Sequence, residues 1–177
     1  MKKIVIIGPE STGKSTICKE LAKHFDTLWC PEFAREYLMQ HGTNYNYTDL
    51  LTIAKGQIEL EDTYTKKCTE QNKNLLFIDT DMYVMKVWSE FVFSACHHFI
   101  LDQIVARKYD LYLLCNTDLP WTKDELREYP DLETRNQLYC IYKDILVNQN
   151  TPWLEIKGVN RERTEHAIDM VSDWLKG

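Results

Sequence analysis

The chain has 177 residues, 44% of them hydrophobic and 27% charged, with only 6 Gly and 5 Pro, which is the composition of one folded domain and excludes collagen-like and disordered classes. Lys plus Arg number 21 and Asp plus Glu 27, a net charge of −6, which argues against a duplex-binding module that must neutralise many phosphates. The apolar runs, such as residues 4–7, fall far short of the roughly 20 residues that span a bilayer, so neither nucleic acid nor a membrane is expected as a partner.

The opening Met1-Lys2-Lys3 leads into too short an apolar run for a secretory signal. The six cysteines, scattered without a C-x-x-C pair, read as reduced and mostly buried thiols, so a cytoplasmic location is expected. Residues 3–8 are β-branched and end in Gly8, the pattern of a strand buried on both faces of a parallel sheet. From Lys14 the apolar positions Ile17, Cys18, Leu21, Ala22 and Phe25 repeat at helical spacing. A weak second strand at 27–31 is cut off by Pro31, a helix at 33–41 is closed by Gly42, and a long helix over 48–71 has Thr48 or Asp49 as its expected cap. Further strands are expected at 75–79, 111–115 and 153–156, with helices at 82–93, 99–106, 133–147 and 162–175. Strands alternating with helices predict a three-layer α/β/α fold around a mainly parallel five-stranded sheet with right-handed crossovers, as in the P-loop NTPases. Residues 117–133 carry Pro120, Pro130 and many charges without a period; with Arg135 they make 117–135 the expected lid of one domain spanning 1–177.

Gly8-Pro9-Glu10-Ser11-Thr12-Gly13-Lys14-Ser15 fits G-x-x-x-x-G-K-[ST] directly after a buried strand and at the opening of a helix. Successive backbone N–H groups in such a loop, aided by the helix N-terminus, hold phosphates through the main chain. The candidate nucleotide-binding residues are therefore Gly8, Glu10, Ser11, Thr12, Gly13, Lys14, Ser15 and Thr16, with Lys14 reaching the outer phosphates and Ser15 ligating Mg²⁺. Asp79 ends the central strand where a second carboxylate is needed for the metal. Asp81 competes with it for that role, or caps the helix that follows. Glu32 and Arg35 project from the same sheet edge: Glu32 accepts or orients a substrate hydroxyl proton and Arg35 binds a polar group, or the two form a surface ion pair. Arg127 and Arg135 flank the lid and are candidates to close on the phosphates, Arg127 also as a group of the transfer step. Trp121 can stack on a base or ring, and Asp124 lies beside it. The turn at 158–161 is either a plain strand-to-helix turn capped by Asn160 or a place for an adenine, and Tyr37, Tyr45, Tyr47 and Phe33 either line an aromatic pocket or pack the core. The adjacent pair His97-His98 points in divergent directions on a helix and is not a metal site.

Taken together and in order, GPESTGKST at 8–16, PEFAREYL at 31–38, FIDTD at 77–81 and LPWTKDELR at 119–127 resemble the ribosylnicotinamide kinase domain of the NadR family, over nearly the whole chain. The resemblance implies a P-loop nucleoside-kinase fold, ATP with Mg²⁺, and phosphorylation of the 5′-hydroxyl of nicotinamide riboside to nicotinamide mononucleotide. It implies that the nucleoside lies near Glu32, Arg35, Asp79 and Asp81, and that Trp121, Asp124 and Arg127 belong to a lid. Glu125 stands where the family's lid usually has glycine, and Thr134 where an acid commonly precedes the arginine. Full-length relatives carry a nucleotidyltransferase domain for which 177 residues leave no room, so a stand-alone kinase is expected. A nucleotide-dependent switch or ATPase, or a kinase of another nucleoside or small metabolite, would carry the same loop; a polar and aromatic acceptor pocket beyond the γ-phosphate distinguishes a kinase.

Overall fold

The computed structural model describes residues 1–126 and 128–177. In chain order its elements are β1 (Lys2–Ile7), α1 (Lys14–His24), β2 (Leu28–Cys30), α2 (Phe33–His41), α3 (Tyr47–Glu70), β3 (Leu75–Asp79), α4 (Met82–Phe93), α5 (His98–Ala106), β4 (Leu111–Cys115), α6 (Leu132–Val147), β5 (Trp153–Ile156) and α7 (Asn160–Lys176). The strands form one sheet in the order β2-β3-β1-β4-β5 with every pairing parallel. All five residues of β3 and of β4 are buried, which is why these segments read as unbroken apolar runs instead of alternating.

The strand period of two divides the core between the faces of the sheet. Ile4, Ile6, Phe77 and Leu113 meet Ile17 and Leu21 of α1 and Ala167 and Val171 of α7. Val5, Ile7, Ile78 and Leu114 meet Val84 and Val87 of α4 and Leu138 and Tyr142 of α6. A third cluster, centred on Ile53, Ala54, Met85 and Ile100, packs α3, α4 and α5 together. The three-layer expectation is therefore what the chain adopts.

This topology dictates where a ligand can sit. From β1 the chain passes to β2 and β3 on one side, then crosses to β4 on the other, so a crevice opens at the carboxyl end of β1 between its two neighbours. Ile6 pairs with Asp79, and Ile7 pairs with Leu114, so the loop after β1 and the end of β3 leave the sheet at one level. Gly8 turns that loop at φ 142, and a Cβ there would lie 2.8 Å from the Cys115 carbonyl oxygen. Only glycine meets both demands.

Several boundaries differ from the sequence reading. The second strand shrinks to Leu28–Cys30, because Pro31 has no N–H to offer and the Thr27 N–H is spent on the Ala22 carbonyl at 2.9 Å. The long helix starts at Tyr47 and is capped by Asn46, not by Thr48 or Asp49. Asn46 Oδ1 accepts from Thr48 N at 2.8 Å while Asp49 Oδ2 accepts from Asn46 N at 2.8 Å, so Asp49 is the reciprocal member of a capping box. The last helix begins at Asn160, which takes a left-handed φ of 52, a conformation that asparagine tolerates.

Candidate active site

The connection 8–13 carries β1 into α1, and Gly13 at its end is left-handed with φ 79. Among the described residues the first turn of α1 has neither a side-chain cap nor an acidic residue, which leaves its N–H groups and positive dipole end suited to an anion. Thr12 Oγ1 donates to the Pro9 carbonyl at 2.7 Å, and Lys14 Nζ reaches the same oxygen at 3.0 Å. Buried Arg163 braces the loop from behind: Nη2 donates to the Thr12 and Asn116 carbonyls, both at 3.0 Å, and Nη1 to the Gly158 carbonyl at 3.0 Å. Arg135, also buried, donates to the Leu119 carbonyl at 2.9 Å and more weakly to that of Ser11 at 3.4 Å.

Asp79 stands across from this loop, and its Oδ2 accepts the Ser15 hydroxyl proton. Its Oδ1 is buried without a hydrogen-bond partner among the described residues. Burial pushes the carboxyl up to about 6, the nearby Glu32 charge raises it further, and Lys14 and Ser15 pull the other way. A hydroxyl and a desolvated carboxylate oxygen with no partner, set beside a phosphate-binding loop, suit Mg²⁺, which takes few protein ligands and keeps waters and phosphate oxygens for the rest. No group of three or more His, Cys, Asp or Glu among the described residues could hold a metal by itself. Asp81 is committed elsewhere. Its Oδ1 accepts from Tyr83 N at 3.0 Å and Val84 N at 3.3 Å, capping α4, and its Oδ2 accepts from Tyr112 OH at 2.8 Å. Burial raises it to about 6 as well, against these hydrogen bonds. Between the two acids Thr80 adopts φ 80, rare for a β-branched residue, and this turn sends Asp79 and Asp81 to different partners.

A cavity of about 370 Å³ runs from Lys14, Ser15 and Lys19 past Glu32 to Tyr45 and Trp88. Gln57, buried on α3, fixes the approach to α2: its Oε1 accepts from Phe33 N at 2.7 Å and its Nε2 donates to the Pro31 carbonyl at 3.3 Å. Glu32, held between those two residues, faces the cavity and makes no hydrogen bond or ion pair among the described residues. The alternative of a Glu32–Arg35 surface pair is not what forms; Arg35 makes a two-pronged pair with Asp124 from the 116–131 connection. At the far end Tyr45 OH donates to Glu128 Oε2 at 2.9 Å and accepts from Trp88 Nε1 at 2.8 Å. The Tyr45 and Trp88 rings meet edge to face at 5.0 Å, as do Phe91 and Tyr129 at 5.5 Å. Burial raises the Glu128 carboxyl above its ordinary value, the Tyr45 bond opposing.

Of the sequence-derived candidates, the loop residues from Gly8 to Thr16, Glu32, Arg35 and Asp124 line this cavity. Asp81, Trp121 and Arg135 do not; Trp121 gives its indole N–H to Glu10 at 3.0 Å. The Glu10 carboxylate, expected at the nucleotide, is taken up by donors of the 121–129 stretch. Arg127 lies outside the described residues. A second hollow of about 650 Å³ borders Gly13, Thr16, Leu119, Asn160 and Arg161, so the 158–161 turn does face open space beside the loop. Of the four proposed pocket aromatics only Tyr45 reaches the cavity; Phe33 and Tyr37 pack against the third cluster, and Tyr47 stacks on His97 at 3.8 Å. The sequence reading missed Gln57, Trp88, Glu128 and Arg163. Two had a signal: Gln57 follows Ile53 and Ala54 on a buried helical face, and Arg163 precedes Ala167 and Val171 at spacings of four. A polar residue on an apolar stripe implies internal partners.

Comparison with known proteins adds to this geometry. The family model for an AAA domain matches residues 3–163. The trifunctional NAD biosynthesis/regulator proteins NadR of Salmonella typhimurium and Escherichia coli are 25% and 26% identical over 180 residues, covering 99% of this chain and 43% of their own length. The chain thus spans less than half the length of these curated relatives. Among solved structures, a NadR protein in complex with NR superposes with a TM-score of 0.82 at 22% identity, covering 98% of this chain and 49% of that one. A thymidylate kinase from Ehrlichia chaffeensis superposes with a TM-score of 0.70 at 14% identity, covering 98% of both chains. These likenesses establish the fold: a parallel α/β sheet of the kind shared by these NadR and thymidylate kinase structures.

Proposed function

We propose that this chain, which belongs to the AAA domain family, is an ATP-dependent nucleoside kinase that phosphorylates the 5′-hydroxyl of nicotinamide riboside to nicotinamide mononucleotide, a step of NAD biosynthesis. One observation carries this reading: a single cavity joins the phosphate-binding loop to a chamber of aromatic rings and carboxylates beyond it. A switch or simple ATPase has no use for that chamber. Its chemistry suits the acceptor, because the nicotinamide ring of the riboside is cationic, and the Tyr45, Trp88 and Phe91 rings with the Glu128 and Asp124 carboxylates attract a flat cation. The NadR relatives named for NAD biosynthesis and the neighbouring NadR complexes with NR and with NAD and AMP-PNP support the same assignment.

In this proposal the main chain of 8–16 and Lys14 hold the ATP phosphates, and Ser15 and Asp79 hold Mg²⁺. When bound, the metal supplies positive charge to the phosphate oxygens as transfer proceeds. Glu32 is the base. The acids at Asp79, Asp124 and Glu128 already have partners, and Asp81 is spent on the α4 cap, whereas Glu32 is uncommitted at the junction of the two halves. The acceptor oxygen bonds to the γ-phosphorus, the bond from that phosphorus to the bridging oxygen breaks to release ADP, and the hydroxyl proton passes to the Glu32 carboxylate. The rest is positioning in a water-poor site. Residues 117–135 serve as the lid over one domain spanning the chain, with the purine beside 158–161. The unpaired cysteines, and the fact that no described helix is long and apolar enough to cross a membrane, support a cytoplasmic enzyme acting on small molecules.

The test is ADP release with Mg-ATP and a panel of acceptors: nicotinamide riboside, other nucleosides, nucleoside monophosphates and none. Stimulation by nicotinamide riboside with the mononucleotide as product is expected. Equal release with every acceptor and with none would make the protein an ATPase or switch, and preference for another nucleoside would reassign the acceptor.

A further inference from the structure

We propose that Glu10 is a positioning residue through which the phosphate-binding loop sets the wall of the acceptor chamber; this rests on the kinase reading above. An acid inside a loop built to hold phosphates is unfavourable unless its charge is neutralised by other groups. Here it is. Glu10 Oε1 accepts from Tyr129 N at 2.7 Å and from Trp121 Nε1 at 3.0 Å, and Oε2 accepts from Glu128 N at 2.9 Å. Three donors from one stretch, more than a hundred residues along the chain, converge on a single carboxylate. Two are successive backbone N–H groups, which no substitution in that stretch except proline removes. Charge-assisted bonds of this kind are the strong ones.

What the clasp holds is as informative as the clasp. The two residues whose N–H groups it binds are those whose side chains build the chamber. The Glu128 side chain accepts from Tyr45 OH at 2.9 Å, and Tyr45 OH in turn accepts from Trp88 Nε1 at 2.8 Å. The Tyr129 ring packs edge to face on Phe91 at 5.5 Å. A continuous hydrogen-bonded path therefore runs from the third residue of the loop to the rings of the acceptor site. When nucleotide orders the loop, it orders Glu10, and with it the chamber, so the two substrates are expected to favour each other's binding, and by linkage to do so reciprocally.

The experiment compares wild type with Glu10→Ala and Glu10→Gln. Hydrogen exchange of the peptide spanning 121–129 reads the clasp directly, whatever the chemistry. Exchange there is expected to rise at least about tenfold in Glu10→Ala, the factor one charge-assisted hydrogen bond is worth, and less in Glu10→Gln, which keeps one acceptor oxygen. In steady-state kinetics KM for the nucleoside is expected to rise at least about tenfold in Glu10→Ala, while affinity for a non-hydrolysable ATP analogue alone changes little and its enhancement of nucleoside binding disappears. Unchanged exchange at 121–129, faster exchange with an unaltered nucleoside KM, or equal loss of nucleotide and nucleoside affinity would each overturn the proposal. Should Glu10→Ala not fold, Glu10→Gln carries the same readouts. A wild-type protein that phosphorylates no nucleoside would defeat the kinase reading instead, and the exchange data would still decide whether Glu10 holds the segment.

Discussion

Asp79→Asn separates what this site needs for chemistry from what the fold needs for stability. Asp79 is 1% exposed, with one oxygen on Ser15 and the other without a partner. Its carboxyl titrates near 6 in the fold, chiefly through burial, against 3.8 when exposed. The folded value lies above the unfolded one, so the ionised group costs stability: about 3 kcal/mol above pH 6, diminishing as pH falls and vanishing below about pH 4. Asparagine has the same shape and no charge. In Mg²⁺-free buffer the variant is expected to be more stable than wild type by about 1–3 kcal/mol at pH 8, the lower figure applying if the new amide N–H finds no acceptor. That advantage should fade between pH 7 and pH 4, while turnover drops by at least about 10² and Mg-nucleotide no longer stabilises the protein. Urea unfolding at pH 4.5, 6 and 8, with ADP release on the same preparations, measures all three. A variant less stable than wild type at pH 8, or one whose advantage grows on acidification, would refute the reasoning.

Glu32→Gln is expected to lower kcat by at least about 10² while binding of an ATP analogue is unchanged; because the Glu32 charge helps raise Asp79, it should also bring the Asp79 carboxyl down toward its ordinary value. Intact kcat would move the base elsewhere. Arg163→Ala leaves the Thr12, Asn116 and Gly158 carbonyls without their donor and is expected to cost about 3 kcal/mol or more with a matching loss of nucleotide affinity; a stability change under about 0.5 kcal/mol, the range of surface substitutions, would contradict the brace. Gly8→Ala forces a Cβ to 2.8 Å from the Cys115 carbonyl oxygen at φ 142 and is expected to destabilise by about 2 kcal/mol or more, read as a shift in urea midpoint without a change in slope.

The layers and the loop were legible because they depend on local pattern. Residues 4–7, 75–79 and 111–115 are unbroken apolar runs because both faces of a parallel sheet are covered, and an eight-residue loop between strand and helix fixes its own geometry. The acceptor chamber was not legible, for a physical reason: Tyr45, Trp88, Glu128 and Glu32 come from four separate places in the chain, and only the packing of α2, α4 and the 116–131 connection around β1 brings them together. Trp88 sits in a helix apolar on nearly every side, so nothing in its surroundings marks it as facing a cavity. Asp81 illustrates the converse. Two residues after Asp79 it has the same apparent claim on the metal, and the positive φ of Thr80, the α4 cap bonds from Tyr83 and Val84 N–H and the Tyr112 hydroxyl decide against it.

The net charge of −6 says little about the partner, because the cavity divides it unevenly. Lys14 and Lys19 from α1 stand at the phosphate end, and Glu32, Asp124 and Glu128 stand at the acceptor end. Arg35, which lines the same cavity, is already committed to Asp124 in a two-pronged pair. A nucleoside monophosphate entering the chamber would bring a dianion against carboxylates, and would gain Arg35 only by breaking that pair. A nucleoside with a cationic ring meets attraction from both the acids and the ring faces. Under the proposed function, selection works through repulsion as much as attraction, which sets this chamber apart from one built for a phosphorylated acceptor on the same sheet and the same loop. The fold is shared at a TM-score of 0.70 with a thymidylate kinase; under the proposed function it sets where transfer happens, and Glu32 at the start of α2 with the acids of the 116–131 connection sets what can receive the phosphate.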